Sequence, residues 1–264
     1  MIVKLLSNSR YNESNATASV VVTSGTQKAI FGYGYTSTQV SMTNLVSNTG
    51  VVATDTTGVG TARSALAAAG YGTDKAIFGY GYTAVVVSMT NLVSNTGVVA
   101  TDTTGVGTNR GYPAAAGYGT DKAIFGYGLA SVYYSITNLV SNTGVVANDV
   151  TGVGTARGEL TATIYGTDKA IFGYGFNGAV VSMTNLVSNT GVVATDTTGV
   201  GTNRYDPAAA GYGTDKAIFG YGGNSSFAVI SVTNLVSNTG VVATDTTGVG
   251  TARAALAAAG YSTT

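Results

Sequence analysis

Short runs of apolar and strand-forming residues, separated by turn residues, follow one another along the chain. Residues 64–103 contain four of them: SALAAAGY, KAIFGY, VVVSMTNL and GVVATDT. The joins between them carry Gly, Thr, Asn and Asp, the residue types that favour tight turns. Val, Thr and Tyr favour strands, and Leu, Glu and Lys are scarce. The pattern therefore predicts four short antiparallel strands, A to D, at 64–71, 75–80, 85–92 and 97–103.

This four-strand pattern repeats with a constant period. The Lys of KAIFGYG recurs every 47 residues, and the fifth copy carries two extra residues in GGNSSFAVIS. Repeats of this length that are built from strands are typical of propeller blades. We therefore expect an all-β, five-bladed β-propeller with four antiparallel strands in each 47-residue repeat. A β-solenoid is the alternative. Residues 1–17 would form an N-terminal arm and residues 18–264 a single domain.

Two stretches of the repeat resemble known families. TARSALAAAGYGTDKAIFGYG (61–81) resembles the kelch repeat, with an Arg, a small-residue strand, a Gly turn, an apolar strand and a Gly pair. Tyr80 interrupts the Gly pair, and the kelch Trp is missing near Val98. NLVSNTGVVATDTTGVGTAR (44–63) is similar to repeats in structural proteins of tailed bacteriophages. The kelch resemblance implies that strand A lies innermost, where Ala67–Ala69 and its counterparts would crowd around a narrow axis. The bacteriophage resemblance implies a virion component.

Six segments match strand A, one more than five blades need. Ser19–Gly25 precedes the first KAIFGYG in phase, and Ala254–Tyr261 follows the last repeat. Either segment would complete the first blade. The C-terminal segment matches the other repeats better and would tie the two chain ends together. We expect it to close the ring, which leaves the N-terminal segment as an arm or an extra edge strand.

Composition narrows the possible functions. Twelve basic residues balance twelve acidic ones, so the chain offers no basic stripe for nucleic acid. The absence of Cys excludes disulfides and thiolate chemistry. No apolar run is long enough to span a bilayer, and the first residues do not match a secretory signal. We expect no cofactor, no metal and no membrane insertion. The expected location is a virion or the extracellular space, with assembly in the cytoplasm before release.

Differences among the five repeats concentrate in two windows. One follows FGYG and reads YTSTQV, YTAVVV, LASVYY, FNGAVV and GNSSFAVI; the other follows the repeat Arg and reads SAL, GYP, GEL, YDP and AAL. In an antiparallel blade the B-to-C and D-to-A connections lie on one face, whereas the nearly constant VSNTG and YGTDK turns lie on the other. Drift alone would change the loops of both faces. The pattern therefore predicts a binding face, with tolerated drift as the alternative.

Aromatic residues outside the repeated motifs fall almost entirely in these windows, and Tyr and Phe supply contact area at low entropic cost. Tyr133, Tyr134 and Phe227 are expected further into strand C, as candidates for the core. The expected partner is a cell-surface glycan or protein receptor, or another virion protein. The predicted binding residues are Tyr35, Thr36, Tyr82, Thr83, Tyr112, Leu129, Glu159, Phe176, Asn177, Tyr205, Asp206, Asn224 and Ser225.

Charged residues argue against catalysis. One Asp and one Arg recur in every repeat, which is typical of structural pairs because a catalytic group is needed only once. Glu159 and Asp206 break this pattern and suggest a glycoside hydrolase as a third hypothesis, although two solvated loop acids explain them more simply. We therefore predict a non-enzymatic binding or structural propeller. A purely architectural virion decoration or spacer is the second hypothesis.

Overall fold

The computed structural model describes residues 28–260, and the predicted arm and the candidate strand Ser19–Gly25 lie outside the described residues. Within the described residues, no helix is long and apolar enough to cross a membrane. The strands are β1 (Ala29–Tyr35), β2 (Gln39–Val46), β3 (Ala67–Tyr71), β4 (Lys75–Gly79), β5 (Thr90–Val93), β6 (Ala114–Tyr118), β7 (Lys122–Leu129), β8 (Tyr133–Val140), β9 (Thr161–Tyr165), β10 (Lys169–Phe176), β11 (Val180–Val187), β12 (Ala208–Tyr212), β13 (Lys216–Gly220) and β14 (Thr233–Val236).

These strands form five small antiparallel sheets, one for each repeat. Sheet 1 contains β1 and β2, sheet 2 contains β3–β5, sheet 3 contains β6–β8, sheet 4 contains β9–β11 and sheet 5 contains β12–β14. The middle strand of each three-stranded sheet is the KAIFG segment. In sheet 2, Phe78 of this strand lies between Ala68 and Asn91 of its neighbours. The prediction of an all-β protein with a repeated antiparallel unit is confirmed.

The predicted strand D is not a regular strand. In sheet 2 the segment meets β5 at two isolated bridges, one of which joins Thr103 to Thr90. Between the two bridges the D segment has one residue more than β5, so the ladder is broken by a bulge. The Asn91 amide fills the break by donating to the Ala100 carbonyl at 3.0 Å and to the Asp102 carboxylate at 2.9 Å. The regular sheets therefore have three strands or fewer, and the segment predicted as strand D pairs with them only at isolated bridges.

The first strands of sheets 2 to 5, which we call the inner strands, lie side by side. β3 contacts β6, β6 contacts β9, and β9 contacts β12. Together with Ala258–Gly260 they line one cavity of about 420 Å³. Their Ala-rich sequences allow this approach because a methyl group keeps neighbouring backbones close. β9 is the exception, since it brings Thr163 and Ile164 to the cavity.

Consecutive sheets pack through a phenylalanine that lies over a glycine. Phe125 of sheet 3 covers Gly79 of sheet 2, where an added Cβ would come within 2.7 Å of the Phe125 ring. The same ring meets Tyr80 edge-on, with centroids 5.1 Å apart. Both aromatic residues are fully buried. In sheets 1 to 4, the first Gly of the Gly-Tyr-Gly motif is therefore required by close contact with the next sheet.

Sheets 1 and 5 do not make this contact with each other. Phe31 of sheet 1 is 56% exposed, although it corresponds to the buried Phe125. We expected Ala254–Tyr261 to close the ring as a strand, but its described residues, 254–260, form no regular strand and join no sheet. Sheet 1 has two strands within the same residues. The structure thus shows five repeated sheets, and no strand among the described residues joins sheet 1 to sheet 5.

Candidate functional site

In sheets 2 to 5, the two variable windows lie side by side. In sheet 2, Ser64 N–H donates to the Tyr82 carbonyl at 2.9 Å, and Tyr82 N–H donates back at 2.8 Å. Bridges at the same position join Gly111 to Leu129, Gly158 to Phe176 and Tyr205 to Gly223. We call the surface formed by both windows the variable face. It comprises residues 35–40, 64–66, 82–87, 111–113, 129–134, 158–160, 176–181, 205–207, 223–230 and 254–256.

Backbone hydrogen bonds also link the variable windows of successive repeats. The middle residue of each D-to-A window after the first donates its N–H to the carbonyl of its counterpart one repeat earlier, at 2.8–3.3 Å. All five of these residues have φ between 47° and 55°. Five positions with four different residue types share this left-handed conformation, so the hydrogen bonds set it and no single side chain does. We call the set the central row: Ala65, Tyr112, Glu159, Asp206 and Ala255.

The structure brings the predicted binding residues to this one face but exposes them unequally. The three exposed tyrosines leave 41–65% of their surface open to solvent. They come from the first three repeats. The exposed residues are Tyr35, Thr36, Tyr82, Tyr112 and Ser225, and the half-buried ones are Thr83, Leu129, Glu159, Phe176, Asn177, Tyr205, Asp206 and Asn224.

Two of the predicted polar residues form hydrogen bonds with the backbone of their own loops. The Asn177 side-chain oxygen accepts the N–H of Ala179 at 3.2 Å. In the fifth repeat, the Asn224 side-chain oxygen accepts two N–H groups, from Ser226 at 2.9 Å and from Ala228 at 3.1 Å. Such Asx-type bonds hold short loops in one conformation. These oxygens therefore shape the variable face and are already occupied by intramolecular bonds.

Phe227 lies on the surface, which corrects its expected place in the core. It is 69% exposed, and its ring lies 5.9 Å from the Tyr205 ring, tilted by 56°. The two extra residues of the fifth repeat lengthen its loop, so that Phe227 falls in a turn before strand C begins. Tyr133 and Tyr134 are half-buried. Phe227 thus adds a fourth exposed aromatic residue, and the inserted residues were the signal that could have identified it.

Glu159 and Asp206 are neighbours in the central row and are half-buried, not freely solvated as the simpler explanation required. Asp206 N–H donates to the Glu159 carbonyl at 2.9 Å. Burial raises the pKa of Glu159, and the negative charge of Asp206 raises it further. Burial also raises the pKa of Asp206. Both carboxyl groups therefore carry an unfavourable charge in the folded protein at neutral pH.

The Glu159→Gln, Asp206→Asn double variant is expected to be more stable than the parent at pH 7. A carboxyl group whose folded pKa is raised favours the folded state below its unfolded pKa, and that contribution is lost as the pH rises through the folded value. Replacing both carboxyl groups with amides removes this pH-dependent loss of stability. Thermal denaturation should show a higher melting temperature for the variant at pH 7, and the two temperatures should converge below about pH 4. Equal temperatures at every pH would contradict the raised pKa values.

The repeated Arg, Asn and Asp residues form a structural network in which the Arg of the first four repeats is fully buried. Arg110 is fully buried; its Nε donates to the Tyr127 carbonyl at 2.6 Å and its Nη2 to the Asn138 side chain at 2.6 Å. The guanidinium carbon lies 4.0 Å from the centre of the Tyr80 ring. Burial acts to lower the pKa of Arg110, and the charge of Asp149 opposes this. The predicted structural role of the repeated Arg is confirmed, whereas its stacking on Tyr was not anticipated.

One buried polar atom in this network has no partner among the described residues. It is Nε of Arg204, whose counterpart Arg157 donates Nε to the Tyr174 carbonyl at 2.8 Å. Arg204 instead donates Nη1 to the Val232 carbonyl at 3.1 Å. The orphan donor thus lies at the junction with sheet 5, the sheet whose repeat carries the two inserted residues.

The opposite face is built from the turns that hardly change among repeats. Asp74 receives a bond from Lys75 at 2.7 Å and another from the Asn95 amide at 3.1 Å. The hydrogen bond from Lys75 lowers the pKa of Asp74, although burial opposes it. These groups are paired with each other, and the pairing recurs at Asp121, Asp168 and Asp215. Asn95 therefore provides a control position away from the variable face.

In the described residues, no group of three or more acidic, His or Cys side chains is placed to hold a metal ion. A comparison with models of known protein families finds no match to this chain, and a comparison with curated proteins finds none either. The site must therefore be interpreted from its own geometry: a continuous, aromatic-bearing surface with a pair of half-buried carboxyl groups in its central row.

Proposed function

We propose that this chain is a non-enzymatic binding protein of a virion, which recognises a cell-surface glycan or protein through the variable face. One observation carries the proposal: backbone bonds pair the two windows within repeats and link the windows of successive repeats. The residues that differ among repeats are thereby joined into one surface. The resemblance of residues 44–63 to repeats in bacteriophage structural proteins supports the assignment to a virion.

We further propose that the five sheets are the blades of a closed, kelch-like five-bladed propeller. A ring of five blades needs five inner strands around its axis. Four inner strands and Ala258–Gly260 line the same cavity, which supports a fivefold arrangement. In such a ring the variable face would occupy one side of the disc, and the paired Asp74-type turns would occupy the other.

The exposed aromatic rings favour binding over a purely architectural role. Tyr and Phe rings bury large apolar areas at interfaces, and a few such residues usually contribute most of the binding free energy. Keeping these rings exposed exceeds what a spacer needs, since loop positions accept small polar residues at no cost to packing. Glycans and protein surfaces both offer apolar patches flanked by hydroxyl or amide groups. The polar residues around the rings suit both kinds of ligand.

Replacing Tyr82 or Tyr112 with Ala is expected to weaken attachment to the target by about 1 kcal/mol or more, which is roughly a fivefold loss of affinity. Folding should be nearly unchanged, within about 0.5 kcal/mol, because both rings are exposed. Ala65 and Ala255 already occupy the backbone conformation of Tyr112, so Ala is tolerated there. A glycan array and a cell-attachment assay with the purified chain would measure binding and separate glycan from protein targets.

Asn95→Ala is the matched control for these variants, because Asn95 lies on the opposite face. It should leave attachment unchanged. If neither assay detects binding by the parent chain, the architectural spacer replaces our proposal. If the Asn95 variant loses attachment while the Tyr82 and Tyr112 variants retain it, the ligand binds the other face.

A glycoside hydrolase remains the third candidate because Glu159 and Asp206 are neighbouring, half-buried carboxyl groups with raised pKa values. Glycosidases use two carboxyl groups, one of them with a raised pKa as the general acid. We expect no hydrolysis of common polysaccharides. Activity that disappears in both Glu159→Gln and Asp206→Asn would establish the enzyme and overturn the non-enzymatic proposal.

A further inference from the structure

Contacts between consecutive sheets follow one plan, which the junction of sheets 3 and 4 illustrates. Arg157 stacks on Tyr127 of sheet 3, 4.3 Å from the ring centre, and donates to Asn185 of sheet 4 at 2.7 Å. The Thr155 N–H and hydroxyl donate to Asp196 of sheet 4 at 2.9 and 2.6 Å. Each junction therefore combines a stacked cation and a Thr from one sheet with an Asn and an Asp from the next.

Sheet 5 carries the first half of such a junction, the stacked cation, on the side that faces away from sheet 4. Arg253 stacks on Tyr221, 4.2 Å from the ring centre, and within the described residues donates to the Thr251 carbonyl alone. Tyr212 is 41% exposed, whereas its counterpart Tyr165 is 3% exposed because it packs against the next sheet. Among residues 28–260, the groups that would contact a following sheet are thus present but have no such sheet beside them.

Sheet 1 carries the second half. Phe31 is 56% exposed, whereas its counterpart Phe172 is fully buried on the glycine of the preceding sheet. The Asn44 amide donates to Asp55 at 2.8 Å, in the manner in which Asn185 donates to Asp196. The side-chain oxygen of Asn44 and the Asp55 carboxylate are therefore oriented like the acceptors Asn185 and Asp196, which take hydrogen bonds from an Arg and a Thr.

We infer that these two halves join within one molecule, and that Ala254–Gly260 becomes the inner strand of sheet 1. The inference rests on the closed ring proposed above and names the segment and contacts that close it. Arg253 would then reach Asn44, and Phe31 would lie over Gly220. The partner is the other end of the same chain because Ala258–Gly260 already lies at the wall of the common cavity. A tethered end also meets its partner at a higher effective concentration than a second copy does.

The internal sheets specify the register of this pairing. Ser64 lies opposite Tyr82, and Ala68 lies opposite Phe78. The same alignment, shifted to the chain ends, places Ala254 opposite Tyr35. Paired residues on antiparallel strands have Cα atoms about 4.5–5.5 Å apart, which lies within the range of roughly 4.4–6.8 Å that a disulfide accepts.

Because the chain has no Cys, a pair of introduced cysteines reports this contact directly. The test variant is Tyr35→Cys with Ala254→Cys, and the internal control is Tyr82→Cys with Ser64→Cys. Mild oxidation of the full chain should convert most of both variants to a monomer with an internal disulfide. Non-reducing electrophoresis would show faster migration, and mass spectrometry would show the loss of two hydrogens. These readouts need no ligand, so a failure of glycan or receptor binding leaves them interpretable.

Two outcomes would overturn the inference. Free thiols in the test pair, with an oxidised control pair, would show that the ends do not meet in this register. Cross-linked dimers or ladders would show that the halves join between separate copies. If the cysteine pair prevents folding, the Phe31→Ala variant provides a second test of ring closure. Closure predicts that this variant melts at a temperature roughly 6–20 °C lower than the parent, and an unchanged melting temperature contradicts closure.

Discussion

Replacing Phe172 with Ala is expected to lower the free energy of unfolding by about 3–5 kcal/mol. The Phe172 ring is fully buried and meets Tyr127 edge-on, with centroids 5.1 Å apart. Its other side covers Gly126, where an added Cβ would lie 2.7 Å from the ring. Truncation would leave a cavity at this junction that Gly126 has no side chain to fill. Chemical denaturation of parent and variant measures the difference.

Val192→Ala is the control for this substitution. Val192 belongs to the same repeat, and 66% of its surface is exposed. Its truncation should change the free energy of unfolding by no more than about 0.5 kcal/mol. Equal effects of the two substitutions would show that the junction between sheets 3 and 4 does not hold the Phe172 ring as described.

Arg157→Met is expected to cost about 3–5 kcal/mol, because it removes a buried cation and leaves its partners without a donor. Arg157 is fully buried and donates to the Tyr174 carbonyl at 2.8 Å, the Thr155 carbonyl at 2.9 Å and the Asn185 side chain at 2.7 Å. Met fills similar volume but donates to none of them. Burial acts to lower the pKa of Arg157, and the neighbouring Tyr127 and Asp196 oppose this. The same denaturation experiment measures the loss.

Two further substitutions test the geometry of this network. Arg157→Lys should restore little of the lost stability, since an ammonium group lacks the planar fork that reaches three acceptors. Lys169→Met removes a cation of the same repeat that pairs with Asp168 at the surface. It should cost at most about 1 kcal/mol, as exposed ion pairs do. A similar cost for Lys169→Met and Arg157→Met would contradict the buried network.

Strand positions were predictable from the sequence because they depend on local signals. The KAIFG strand and the Ala-rich inner strand begin and end within a few residues of the glycine turns that bound them. Strand D was not predictable in the same way. Its Val and Thr residues favour a strand, but the bulge opposite Asn91 and Leu92 and the bonds from the Asn91 amide prevent a continuous ladder. Those bonds join residues about ten positions apart, which a propensity argument does not consider.

The candidate site was predictable in outline. The alternation of variable and constant connections placed the two windows together, and the bridge between Ser64 and Tyr82 agrees with that placement. Side-chain exposure was less predictable: Phe227 lies on the surface, while Glu159 and Asp206 are half-buried. Exposure depends on which neighbouring repeat covers a residue. The central row, in which each repeat donates to the one before, could not be derived from a single repeat.

By itself, the sequence determined the repeat length, the strand-forming segments, the turns and the two windows where repeats differ, because each of these depends on residues that are close together in the sequence. Only the tertiary structure decided that the Arg of the first four repeats is fully buried on a Tyr ring, that the first Gly of their Gly-Tyr-Gly motifs contacts the next sheet, and that Phe31 is exposed while Phe125 is buried. Identical residues have different surroundings at the ends and in the middle of the array. Their environments are set by contacts between repeats, which the sequence of a single repeat does not specify.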